Sequence, residues 1–267
     1  MEKMKEKQIK SANKLTSIGQ ALNILELFSV KNSKWGVTEI SKTLNMSIST
    51  VHRTLSILKG RGYIEQDSQR GKYKLGLKVF ELGCVFQDQT YLIEVAMPHL
   101  EHLAHLTNET VNLAILDSNQ REIVYIAKID TPEVLRTDIR IGTRLLAHCT
   151  ALGKVLLASL PEREIERIFP KKKELPTYTS SSISTFTKLK EHLREVKSQG
   201  FAVDDEEFKT GVRCLGIPIK DTRGKVIAAI SIAGPAIRFS LEKIEKLKST
   251  VIEVSSRISE RIGFKTL

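Results

Sequence analysis

Cysteine is scarce in this chain: Cys84, Cys149 and Cys214 are the only three in 267 residues. An odd number at such wide spacing excludes a disulfide framework. No pair stands at the short spacing of a zinc ligand set, so free thiols and no metal or other cofactor are expected. Long apolar runs are missing as well. None approaches the roughly 20 residues that span a bilayer, and the basic N-terminus lacks the apolar segment that follows in a secretion signal. A cytoplasmic protein with no membrane partner is the expectation. Repeats and low-complexity segments are absent too, as is any local catalytic motif. A Cys-dependent enzyme could only pair Cys214 with His148 or His192, and nothing in their spacing fixes a nucleophile beside a base, so no catalytic residue is assigned.

What is present is positive charge, and it is concentrated. Residues 31–78 hold ten Lys or Arg against three Asp or Glu, whereas the whole chain carries a net +11. In that stretch Val37, Ile40 and Leu44 recur at helical spacing, and Asn45-Met46-Ser47 marks a turn. Ser47 can cap a second helix whose apolar stripe is Ile48, Val51, Leu55 and Leu58. Its other face offers Ser49, Thr50, His52, Arg53 and Ser56. Beyond Gly62, residues 63–66 and 72–75 alternate as strands around Asp67-Ser68-Gln69-Arg70-Gly71. This order is a winged helix-turn-helix, which reads duplex DNA. The early residues of the second helix would meet base edges, Arg53 with guanine acceptors, while Arg61, Arg70, Lys72 and Lys74 would hold phosphates. Small winged domains also serve as protein-protein modules, and His52 alone is equally a half-buried polar residue.

Length and 41% hydrophobic residues allow a small domain and a larger one. The expected division is a frayed basic N-terminus over 1–14, the winged domain over 15–76, a connecting helix over 77–90 and a second domain over 91–267. Ile18, Leu22, Leu25 and Phe28, widened by Ala21 and Ile24, form a stripe that needs a partner surface. The segment from Leu77 to Gln89 is too apolar for a free linker, and a packed dimer would cover it. The second domain reads as a helix from Tyr91 to Asn108, a hairpin of Val111–Leu116 with Ile123–Ile129, and a further strand over Val134–Ile139. Helices follow from Thr150, between Pro161 and Pro170, and from Thr185 to Gly200. Strands over Gly211–Ile219 and Lys225–Ala233 precede a last helix carrying Leu241, Ile244, Leu247, Val251, Val254 and Ile258. The class is α+β, an antiparallel sheet with flanking helices.

Two places in this domain suit a small molecule. At Thr150, Ala151 and Leu152 a helix begins, and its unpaired amides favour an anion such as a carboxylate. The plainer reading makes Thr150 a cap and leaves Lys154 solvated. Asp204 opens the acidic run Asp204-Asp205-Glu206-Glu207, and Cys214 and Ser231 occupy interior positions on consecutive strands. Asp204 could accept a ligand hydroxyl proton, with Cys214 a weak donor and Ser231 either donor or acceptor. The plainer reading keeps the carboxylates in solvent and Cys214 in the core.

The motifs 36–40 (GVTEI), 47–53 (SISTVHR), 73–76 (YKLG), 151–154 (ALGK), 200–207 (GFAVDDEE) and 211–214 (GVRC) stand in order. With them the chain, from about residue 17 to 263, resembles the isocitrate-lyase-regulator (IclR) family of bacterial transcription factors. The resemblance implies an N-terminal winged domain, with Thr38 joining the DNA contacts, and a GAF/PAS-like effector-binding domain. It implies homodimers or tetramers on a palindromic operator in double-stranded DNA, and a small organic acid effector bound by Thr150, Ala151, Leu152, Asp204, Cys214 and Ser231. Ala233 departs from the family's Ser-x-Ser-Gly-Pro pattern, which removes one hydroxyl and points away from glyoxylate toward a larger ligand such as a sugar acid. The expected function is a ligand-responsive repressor of a catabolic operon. An activator of the same family and a constitutive DNA-binding protein are the alternatives.

Overall fold

The structure is a computed structural model, and it describes residues 16–29, 32–67, 71–88, 91–117, 121–169 and 174–263. The chain divides into two compact units, Met1–Gln89 and Thr90–Leu267.

In the first unit Thr16 caps helix α1 (Ser17–Glu26) by accepting from the amide of Gly19. Helix α2 (Val37–Leu44) starts with the Gly36 amide donating to Glu39 Oε2 at 2.7 Å and ends at Asn45, whose φ of 53° stops it. Ser47 then caps α3 (Ile48–Gly60) through the Thr50 amide at 3.2 Å. Strands β1 (Ile64–Gln66) and β2 (Tyr73–Leu75) form the wing, in register Glu65 to Lys74, and Trp35 bridges to Tyr73 on its other edge. Ile24, Ile40, Leu44, Val51, Leu55, Leu58, Ile64 and Tyr73 make the core. One expectation fails here. Ile48 is 53% exposed and Thr54 is buried in its stead, because α3 meets the core from its second turn onward. On α1 the buried residue is Ile24, while Ile18 and Leu22 face solvent within the single chain. Helix α4 (Leu77–Asp88) likewise leaves Leu77, Phe80, Leu82, Val85 and Phe86 exposed. The tip of the wing with Arg70, the basic N-terminus and Gln89 lie outside the described residues.

The second unit is built on a six-stranded antiparallel sheet in the order β5-β4-β3-β8-β7-β6, from Arg144–Leu146, Glu122–Ile129, Thr110–Asp117, Val226–Pro235, Val212–Lys220 and Ala202–Asp205. Side chains alternate between its faces. Val111, Leu113, Leu215, Ile217, Ile230 and Ile232 pack on one side against α5 (Tyr91–Thr107) and the C-terminal helix Leu241–Ile262. Ala114, Ala202 and Ala229 face the other side, where α6 (Ala151–Ala158), α7 (Glu162–Ile168) and α8 (Phe186–Gln199) lie; the C-terminal helix is α9. Small residues on that face let α6 sit close: a Cβ on Gly216 would stand 2.6 Å from the backbone of Ala151. Thr185 caps α8, and Gly200 ends it with φ 78°.

The strand expected over Val134–Ile139 is a loop. Its alternation resembles a strand, but the open edge of β4 is taken by β5, with Ile123 opposite Leu145. The loop is tied by single bonds, Arg238 Nη2 to Leu135 O at 2.8 Å and Lys128 Nζ to Thr137 O at 3.3 Å, while Val134 is 98% exposed. No helix among the described residues is long and apolar enough to cross a membrane.

Candidate functional site

Helix α3 carries the first candidate surface. Val51, Thr54, Leu55 and Leu58 turn inward, so Ser49, His52, Arg53 and Ser56 are presented to solvent. Ser47 Oγ lies 3.1 Å from Ser49 Oγ and 2.8 Å from Thr50 Oγ1, which links three of the candidate DNA residues into one hydroxyl cluster at the helix start. Thr38 on α2 and Arg61 after α3 are also exposed. The wing lysines are not free. Lys72 Nζ is 2.8 Å from Glu39 Oε1, Lys74 Nζ is 2.9 Å from Glu65, and Lys34 bridges Asp67 across the wing base. The Lys72 hydrogen bond and the Gly36 amide hold the Glu39 carboxyl below its ordinary range.

The second candidate lies between α6 and the sheet. Thr150, Ala151, Leu152, Asp204, Cys214 and Ser231 all line one cavity, together with Tyr125, Thr137, Ile139, Phe208, Val212 and Ala233. The space along its walls, including the part open to solvent, is about 290 Å3, of which about 10 Å3 admits the centre of a water molecule. Thr150 does cap α6, accepting from the Gly153 amide at 3.0 Å. That bond leaves the amides of Ala151 and Leu152 as the outward-facing donors of the first turn.

The acidic run does not stay in solvent. Asp204 and Glu207 are buried, whereas Asp205 reaches outward to Arg213 at 2.6 Å. Asp204 Oδ1 accepts from the amides of Glu207 at 2.8 Å and Phe208 at 3.2 Å, while Oδ2 has no partner. Burial raises its pKa from 3.8 to about 7, against the pull of Lys154. Lys154 is fully buried, not solvated: its Nζ bonds Glu207 Oε1 and donates to Val203 O at 2.6 Å. The cluster thus brings two carboxylates to one cation. Burial pushes the Cys214 thiol well above its usual range and lowers His192 to about 4. Cys214 is therefore a neutral thiol, a weak hydrogen-bond donor and a poor nucleophile. Among the described residues no three or more His, Cys, Asp or Glu are grouped to hold a metal.

A model of the IclR helix-turn-helix domain matches residues 17–68, and a model of the bacterial transcriptional regulator IclR C-terminal domain matches residues 85–260. This chain belongs to the IclR family. It is thus a DNA-binding transcriptional regulator and not an enzyme. The HTH-type transcriptional regulator KdgR of Escherichia coli K12 is 36% identical over 255 residues, 96% of this chain and 95% of that protein. The transcriptional repressor IclR of the same organism is 29% identical over 253 residues, covering 95% and 92%. The crystal structure of the Thermotoga maritima IclR matches with a TM-score of 0.73 at 31% identity, over 93% of this chain and 99% of that one.

For this IclR-family chain, the sequence points to six cavity residues and singles out Ala233 as well, but not the rest of the wall. Tyr125 is readable, since it lies two residues from Ile123 on β4 and shares its face, whereas Thr137 and Ile139 fall in the segment whose pattern reads as a strand. The buried Lys154 carried no signal, because a lysine in the first turn of a helix ordinarily points to water.

Proposed function

We propose that this protein is a ligand-responsive repressor of a catabolic operon, and that the cavity under α6 takes a small organic acid. The observation that carries the reading is one cavity with two opposed needs. The amides of Ala151 and Leu152 at the start of α6 call for an anion, and the unpaired, buried Asp204 Oδ2, on a carboxyl with its pKa raised to about 7, calls for a group that can both donate and accept. A hydroxylated carboxylate, such as a sugar acid, answers both. Cys214 donates weakly and Ser231 donates or accepts. The repressor sign draws on the E. coli relative that bears that name, and the sheet flanked by helices is of the GAF/PAS type.

An acid of several carbons does not fit the present 10 Å3 of water-sized space. Binding parts the walls, and the loop that carries Thr137 and Ile139 is one wall without sheet pairing. The signal passes along the chain through α4 to the winged unit. Two copies of that unit, paired through the apolar faces of α1 and α4, read a palindromic operator with half-sites about 34 Å apart, by Arg53 and the Ser49-Thr50-His52 face, with Thr38, Ser47, Arg61, Arg70, Lys72 and Lys74 in support. A coupling of about 1 to 3 kcal/mol changes operator affinity by roughly 5- to 150-fold. Such a protein acts in the cytoplasm as a dimer or tetramer.

The test is a panel of organic and sugar acids read by thermal stabilisation and by binding to the protein's own upstream DNA. One acid should raise the melting temperature and weaken DNA binding together. Stabilisation with unchanged DNA binding rejects the regulatory coupling and favours a constitutive binder. Tighter DNA binding reverses the sign, and no stabilisation by any acid rejects the cavity.

A further inference from the structure

We propose that Asn112, with Thr110 and Thr137 beside it, forms a specificity wall of this cavity that reads ligand hydroxyl groups, so that the preferred acid carries at least one. The inference rests on the effector reading above. Strand β3 alternates: Val111 and Leu113 belong to the core under α5 and α9, and Ala114 to the core under α6. Thr110 and Asn112 therefore face the α6 side with Ala114. Their neighbours across β8 are Ala233 and Ser231, both of which line the cavity. Thr137 lines it directly from the loop after β4.

Thr110, Asn112 and Thr137 are 0%, 1% and 8% exposed, and Thr110 Oγ1, Asn112 Oδ1 and Thr137 Oγ1 have no hydrogen-bond partner. The large majority of buried polar atoms in folded proteins are paired, so these orphans, with Thr137 and Asp204 lining the cavity and Thr110 and Asn112 opposite the lining residues Ala233 and Ser231, point to a partner that enters it. The chemistry of that partner follows from the atoms. Asn112 Oδ1 only accepts, the threonine hydroxyls donate or accept, and Asp204, with its pKa raised to about 7 by burial, accepts as the carboxylate and donates as the acid. A ligand carboxylate has no proton to offer Asn112. A ligand hydroxyl does, and it can donate to or accept from the other three. An acid of equal length without hydroxyls would leave Asn112 Oδ1 unpaired, and a site built to bond a hydroxyl rejects the analogue lacking it.

The experiment is calorimetric titration of the full chain and its Asn112→Leu variant with D-glycerate, L-threonate and D-gluconate, each beside its plain counterpart, propionate, butyrate or hexanoate. The wild type should bind at least one hydroxylated acid tenfold or more tighter than its counterpart, and Asn112→Leu should erase most of that preference. The variant should also melt no lower than the wild type without ligand, since it removes an orphan. A merely structural asparagine would melt lower instead. Should Asn112→Leu fail to fold, Thr137→Val serves, with partial loss of the preference expected. A hydroxyl preference untouched in the variant overturns the wall and leaves the effector reading intact, and identifies internal water as what satisfies these atoms. A wild type that favours the plain acids also overturns the wall alone. Binding of none of the six overturns the cavity reading and this inference with it.

Discussion

Replacing Asp204 with asparagine should stabilise the protein at alkaline pH, and the gain should vanish on acidification. The side chain is buried, its Oδ1 accepts two backbone amides, and its Oδ2 is unpaired. Burial lifts the pKa from 3.8 to about 7; Lys154 opposes this and Glu207 adds to it. The sign follows from proton counting. Between pH 3.8 and about 7 the folded protein holds a proton that the unfolded chain has released. Stability therefore falls as pH rises through that window and levels off above it. Each tenfold difference in proton affinity is about 1.4 kcal/mol, so the three decades amount to about 4 kcal/mol at most. Asparagine keeps the acceptor for both amides and carries no charge, so Asp204→Asn sheds most of this cost at pH 8 and little of it near pH 4. For a domain of 150 to 250 residues the gain at pH 8 is roughly 5 to 15 °C in melting temperature. Glu207 and His148 titrate in both proteins and largely cancel in the comparison. Calorimetric melts of both proteins from pH 4.5 to 8.5, without ligand, provide the measurement. A variant less stable than the wild type at pH 8, or a gap that does not change with pH, would refute the reasoning.

Three further outcomes are expected. Glu39→Gln keeps an acceptor for the Gly36 amide but releases Lys72, so binding to all duplexes should tighten alike and the slope of log affinity on log salt should steepen by about 0.9 in anisotropy titrations. An unchanged slope removes Lys72 from the phosphate contacts. Gly153→Ala would set a Cβ 2.1 Å from Ala147 O and should cost about 1 to 3 kcal/mol in a denaturant melt, whereas Gly60→Ala, with nothing within 4 Å, should gain up to about 1 kcal/mol. Ala233→Ser places a hydroxyl opposite Thr110, whose own hydroxyl is unpaired, and should raise glyoxylate affinity up to about tenfold by calorimetry, the worth of one hydrogen bond.

Much of the architecture was legible because it is written in local chemistry. Thr16, Ser47, Thr150, Thr185 and Ser240 each cap a helix by accepting an amide hydrogen bond, and Asn45 and Gly200 end theirs in the left-handed region. These are one-residue signals read at fixed offsets. What stayed hidden depends on pairing. Residues 134–139 alternate as a strand should, and only the occupation of the β4 edge by Arg144–Leu146 decides that they do not become one. Ile48 has the right spacing for the apolar stripe of α3, yet the core it would join begins one turn later.

The acidic run shows the same limit inside the cavity itself. Four consecutive carboxylates look alike in sequence, and solvent is their ordinary place. In the structure β6 pairs Asp204 with Cys214 and Asp205 with Arg213, so a period of two sends Asp204 inward and Asp205 out to its ion pair. Continued alternation would bury Glu206. Instead Glu206 turns at φ 62°, a conformation a glutamate rarely adopts, and its carboxylate takes the Gly211 amide at 2.7 Å. That single left-handed residue ends the strand and brings Glu207 back under α6 to meet Lys154. Nothing in the residue type announces it. The burial of Lys154, the charge that opposes the raised pKa of Asp204, and the closeness of α6 to the sheet all follow from this turn together with Gly216, so the electrostatics of the cavity are set by backbone geometry two residues away from the carboxylate that faces it.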